Sequence, residues 1–81
     1  MKLLETLDLG KAKRIEITYP TDVGFEVVVI KRDDYEYIMA DGDALYVWHR
    51  DASNQRRLWV YNLKLAKRIY IVFEGGKGSE G

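Results

Sequence analysis

The chain has 81 residues, which makes one domain and leaves no room for a second. Apolar and aromatic residues are 47% of it, enough for one small core. Thirteen Lys and Arg balance thirteen Asp and Glu, the cysteine count is zero and there is one histidine, His49; this excludes a global basic attraction to nucleic acid, a disulfide framework, a thiolate zinc site and a multi-histidine metal site.

Leu3, Leu4 and Leu7 have helical spacing and are followed by Leu9 and Gly10. Residues 2–9 therefore read as a short helix or as an irregular arm. Eight residues do not hold a helix alone, so the leucines must dock on a sheet. The segment contains Glu5 and Asp8 and has no small-residue cleavage site, so it is not read as a signal peptide. No apolar stretch is long enough for a membrane-spanning helix.

Residues 13–19 alternate, with Ile15, Ile17 and Tyr19 on one face and Arg14, Glu16 and Thr18 on the other. This is the pattern of a half-buried strand. Pro20 and Gly24 bound a turn. Val27, Val28, Val29 and Ile30 follow in a row, and a continuous β-branched run predicts a strand covered on both faces at its centre. Asp33 and Asp34 interrupt it. Residues 35–40 and 44–50 flank Asp41-Gly42, a two-residue hairpin signal that sets Ala40 opposite Asp43. Residues 51–56 form a polar loop and residues 57–62 another strand. Residues 63–66 make a short connection, and residues 67–74 the last strand. Residues 75–81, rich in glycine, are expected to be a disordered tail on a single β domain of residues 1–74.

One segment is echoed. Residues 12–19 match residues 66–73 at an offset of 54, with five of eight positions identical, and Leu9 falls on Leu63. Both copies are expected to tuck a leucine under the sheet, enter a strand through a basic pair, and pair as neighbours. The fold expected is all-β: about six strands in an antiparallel meander, as a coiled sheet or a small barrel of OB-like or Sm-like size.

The functional expectation rests on one sheet face. With Ala40 opposite Asp43, the residues Tyr35, Tyr37, Met39, Tyr46 and Trp48 share a face. If all of residues 51–56 loop out, Arg50 meets Arg57, Trp48 meets Trp59 and Tyr46 meets Tyr61. Six aromatics (Tyr35, Tyr37, Tyr46, Trp48, Trp59, Tyr61) then line one face, with Arg50, Arg56 and Arg57 at its end and an aliphatic set of Ile38, Leu45, Val47, Leu58 and Val60 behind. A loop one residue shorter flips the third strand and brings Leu58 and Val60 beside Trp48. Tyrosine and tryptophan stack on nucleobases, and arginine meets phosphate. The same composition marks protein-interface hot spots, and a second core layer would also use it.

Charge is segregated along the chain. Residues 20–43 hold seven acids and two bases, a net of −5; residues 44–68 hold six bases and one acid, a net of +5. Two halves that attract each other, or a basic surface that meets an anion, would both produce this.

Enzyme chemistry has little support. Ser53 and His49 lack a nucleophile motif, and the Asp33-Asp34 and Asp41-Gly42-Asp43 clusters sit where turns are expected. The Gly-Gly-Lys-Gly-Ser of residues 75–79 lacks the spacing of a phosphate loop. The reading is a non-enzymatic binding module without metal or cofactor. Its expected partner is single-stranded nucleic acid or, alternatively, a protein surface that includes a second copy of the chain. Few amides, no cysteine and 32% charged residues suggest a heat-adapted source, and the expected location is the cytoplasm.

Overall fold

A computed structural model describes residues 2–73. The strand expectation for residue 74 and the tail of residues 75–81 lie outside the described residues. A four-residue helix, α1 (Lys2–Glu5), precedes six strands: β1 (Ala12–Thr21), β2 (Gly24–Lys31), β3 (Tyr37–Asp41), β4 (Ala44–Arg50), β5 (Arg56–Asn62) and β6 (Arg68–Phe73). Three 3-10 turns, Leu9–Lys11, Arg32–Asp34 and Leu63–Leu65, lead into β1, β3 and β6. No helix among the described residues is long and apolar enough to cross a membrane.

The strands form two three-stranded antiparallel sheets, β2-β1-β6 and β3-β4-β5. The all-β fold of six antiparallel strands is as expected; β3-β4-β5 is a meander, and in the other sheet β6 returns to lie beside β1. No ladder joins β2 to β3 or β5 to β6 among the described residues, so the sheets face each other without closing into a barrel. Between them lies one core, built from Ile15, Ile17 and Ile30 on one side and Ile38, Leu45 and Val47 on the other. Ile17 is fully buried. Leu4, Leu9 and Leu63 seal its margin.

The echo is structural. Leu9 and Leu63 each open a 3-10 turn and are buried, and the amides of Ala12 and Ala66 donate back to their carbonyls. β1 and β6 pair with Ile15 opposite Ile71, Ile17 opposite Ile69 and Glu16 opposite Tyr70. Residues 16 and 70 are themselves equivalent positions, so a local two-fold axis passes through that pair. The N-terminal helix is shorter than the leucine spacing predicts, because Leu9 and Gly10 are taken up by the 3-10 turn.

Two strand expectations change. β1 runs through Pro20 to Thr21, past the expected turn. Thr18 accepts the Lys67 amide, so even-numbered residues of β1 bond toward β6, which pairs no further than Thr18. Pro20, without an N–H, therefore lacks a donor only on a side where no strand would receive it. The valine run of β2 is covered on one face only. β2 is an edge strand, Val28 and Ile30 face the core, and Val27 and Val29 are exposed.

Candidate functional site: the outer face of the second sheet

The β3–β4 hairpin places Asp41 opposite Ala44, Met39 opposite Tyr46 and Tyr37 opposite Trp48. The two turn residues are Gly42 and Asp43, not Asp41 and Gly42. Gly42 has φ +61°, which glycine adopts without the Cβ penalty at the first central position of such a turn. Its amide donates to Glu5 Oε2 (2.9 Å), which ties α1 to the hairpin. Each strand meets its partner one residue further along than the expected turn gives on each side. Side-chain parity survives such a shift, so Tyr37, Met39, Tyr46 and Trp48 still share the outer face, with Ile38, Leu45 and Val47 behind them in the core.

The β4–β5 register is the informative departure. Arg50 meets Arg56, Trp48 meets Leu58, Val47 meets Trp59 and Tyr46 meets Val60. The loop is residues 51–55, one residue shorter than expected, and β5 is flipped relative to that expectation. Asp51 is the cause. Its Oδ1 accepts from the Ser53 amide (2.9 Å), the Ser53 hydroxyl (2.6 Å) and the Gln55 amide (3.0 Å). The Asp51 amide donates to the Gln55 carbonyl (3.0 Å), and Asn54 takes φ +66° to close the turn. Asparagine tolerates that conformation better than most residues. These bonds to the ionised form hold the Asp51 carboxyl down at about 2, with the Ser53 hydroxyl and the Arg57 guanidinium the largest causes.

The candidate residues consequently separate. Tyr37, Tyr46 and Trp48 stay together on the outer face: the Tyr37 and Trp48 rings are 5.4 Å apart and the Tyr46 and Trp48 rings 6.0 Å. Leu58 and Val60, 45% and 55% exposed, take the places expected for Trp59 and Tyr61. Trp59 and Tyr61 turn to the inner side. Trp59 packs edge-on against His49, with ring centroids 4.6 Å apart, at a cleft of about 440 Å³ that Val29, Ile30 and Val47 also line. Tyr61 packs against the core, and burial pushes its hydroxyl pKa up. Tyr35 also leaves the face. The β3 ladder begins only at Tyr37, and the Tyr35 hydroxyl reaches inward to the carbonyls of Leu9 (3.3 Å) and Ala12 (3.5 Å).

The arginines all have carboxylate partners. Arg50 Nε lies 2.7 Å from Glu36 Oε2, Arg56 Nε 3.8 Å from Glu36 Oε1, and Arg57 Nε 2.6 Å from Asp51 Oδ2. Arg50 also donates to the Asn54 carbonyl (3.1 Å). Among the described residues, no three His, Asp or Glu side chains converge as a metal would need.

The resulting face has two complete cross-strand rows, Met39–Tyr46–Val60 and Tyr37–Trp48–Leu58, with no charge in either. Sequence reasoning placed Leu58 and Val60 on the opposite side. The signal for their true position was the Asp-x-Ser motif of Asp51 and Ser53 followed by Asn54, which together make a five-residue loop. Set against protein families, characterised proteins and solved structures, the chain matches none of them.

Proposed function

We propose that the protein is a non-enzymatic interaction module that docks a protein partner on the outer face of β3-β4-β5. One observation carries this reading: the two cross-strand rows of six apolar and aromatic side chains, uninterrupted by charge. A contiguous apolar patch on a small domain costs solubility unless a partner covers it. Tyr37, Tyr46 and Trp48 are of the residue type that dominates interface energetics, and Met39, Leu58 and Val60 surround them with apolar area. At the rim Arg57 pairs with Asp51, while Arg50 and Arg56 share the single carboxylate of Glu36 and keep a net positive charge there; the uncharged rows between offer a partner mainly burial.

A second reading, single-stranded nucleic acid, is supported by the ladder of Tyr37, Trp48 and Tyr46 rings beside Arg50 and Arg56. It ranks lower because Glu36 lies against both arginines.

The immobilised protein, its Trp48→Ala variant and its Tyr70→Ala variant, exposed to a lysate of its source cells, test the first reading. A partner held by the wild type and by Tyr70→Ala but lost with Trp48→Ala supports it. The same retained set for all three overturns it. Titration with single-stranded DNA and RNA in low salt separates the second reading: quenching of Trp48 fluorescence, weakened by about 1–3 kcal/mol in a Tyr46→Ala variant, would carry it instead.

A further inference from the structure

We infer that β5 is a pairing edge for a second copy of this chain, joined antiparallel about a two-fold axis at Trp59 into a continuous six-stranded sheet. The inference goes beyond the reading of the outer face: it concerns the edge of the same sheet, and the paired copies leave that face open.

The two edges of the second sheet differ. β3 is covered: α1 and the Leu9–Lys11 turn pack on it, and Glu5 is bonded to its hairpin. β5 has β4 on one side, and no strand pairs with its other side among the described residues. It is seven residues long, and all but Tyr61 are exposed. Its centre, Leu58 to Tyr61, contains no charge, proline or glycine, so it lacks the usual devices that blunt an open edge.

The direction of its free backbone groups follows from the neighbouring ladder. A strand residue points its N–H and C=O to the same side, and successive residues alternate. The Trp48 carbonyl accepts the Glu36 amide (2.7 Å), so Trp48 and Tyr46 bond toward β3. Leu45 and Val47 therefore bond toward β5, to their partners Tyr61 and Trp59. The Asp43 carbonyl, which accepts the Leu63 amide (2.7 Å), is in the same phase. By alternation, Arg56, Leu58, Val60 and Asn62 direct their N–H and C=O groups to the open edge.

An antiparallel copy must meet this edge with the same residues, so even-numbered residues pair with even-numbered ones. The register with full overlap pairs Arg56 with Asn62 and Leu58 with Val60 of the second copy, and sets the two Trp59 residues opposite each other without hydrogen bonds. Charge favours the same arrangement. Arg50, Arg56 and Arg57 lie at one end of the sheet, and Asp41 and Asp43 at the other. An antiparallel copy brings the basic end of one alongside the acidic end of the other; a parallel copy would set arginine against arginine. The outer rows then run unbroken through both copies: Tyr37–Trp48–Leu58 continues into Val60–Tyr46–Met39 of the second copy.

The test uses the full chain. At tens of micromolar it should sediment as a dimer. Val60→Pro removes an N–H that faces the open edge and leaves the β4 ladder intact, so it should sediment as a monomer with the wild-type circular dichroism. Trp59→Cys introduces the only cysteine in the chain. It should form a disulfide-linked dimer on mild oxidation, because non-hydrogen-bonded partners lie about 4.5 Å apart at Cα, and Arg57→Cys should not. If Val60→Pro loses its β spectrum, the cysteine pair decides. A monomeric wild type, a folded Val60→Pro that still dimerises, or equal cross-linking through Arg57→Cys overturns the inference. Tyr46→Ser separates the two readings: it should lose the docked partner yet still dimerise through the edge.

Discussion

On the outer face of the first sheet, Glu16 lies between Val29 and Tyr70, Arg14 between Lys31 and Val72, and Thr18 between Val27 and Arg68. On the outer face of the second, Tyr46 lies between Met39 and Val60, and Trp48 between Tyr37 and Leu58. Both sheets expose large apolar side chains at their flanks. They differ in the central strand. β1 places a polar residue at every outward position along its pairing with β6, and Arg14 Nε is 2.7 Å from Glu16 Oε2. A partner covering that face would have to desolvate an ion pair, a cost that offsets what burying the surrounding valines returns. β4 places Ala44, Tyr46 and Trp48 outward, which bury without such a penalty; its outward charge, Arg50, stands at the strand end beside Glu36 and not at the centre of the face. The residues on the middle strand, more than the amount of exposed apolar area, separate a solvent face from a docking face.

The largest effects should come from what the two sheets share. Ile17→Ala in β1 and Leu45→Ala in β4 should each cost about 2–5 kcal/mol in urea unfolding, because both side chains fill the same core. A large loss from one and little from the other would mean that the sheets do not depend equally on that core. Next comes the hairpin that aligns β3 with β4. Gly42→Ala puts a side chain at φ +61° and should cost about 1–2 kcal/mol in the same assay.

A third substitution gives the second sheet the device of the first. Tyr46→Glu places a carboxylate at the centre of the outer face, as Glu16 does on β1. It should abolish partner docking while changing stability by about 1 kcal/mol or less, since the position is on the solvent side. Retained docking would remove the distinction between the two faces.

The smallest effect concerns the loop that turns β5 over. The Asp51 carboxyl is held at about 2, below its ordinary value of 3.8. A depressed carboxyl contributes stability above its unfolded value, and that contribution fades as pH falls through the folded value. Asp51→Asn should therefore be less stable than wild type at neutral pH. The difference should shrink below pH 4 and vanish near pH 2, as followed by urea midpoints. A difference that persists at the acid end would assign the loss to shape and not to charge.

Much of this architecture is legible in the sequence, and for a definite reason. Alternation of Ile15, Ile17 and Tyr19 with Arg14, Glu16 and Thr18 identifies β1 and its buried face directly. The match of residues 12–19 to 66–73 anticipates the β1–β6 pair and the two leucine-capped turns. The shared faces of β3 and β4 are also readable, although the turn lies one residue further along than expected. That shift moves each strand against the other by two positions, and side chains alternate with a period of two, so every residue keeps its face.

The chain by itself thus determined which strands exist and which residues of β1, β3 and β4 are buried, and placed the glycine and aspartate turns to within one residue. Tertiary structure alone decided the face of β5, the extent to which β2 is covered, and the fate of Tyr35. Loop length is the physical reason in the first case. Asp51, Ser53 and Asn54 close the turn in five residues where six were expected, and a one-residue change sends Trp59 and Tyr61 inward and Leu58 and Val60 outward. The other two depend on neighbours distant in sequence. β2 shows its valines because, among the described residues, no layer lies over the first sheet, and Tyr35 turns inward because the carbonyls of Leu9 and Ala12 lie within its reach.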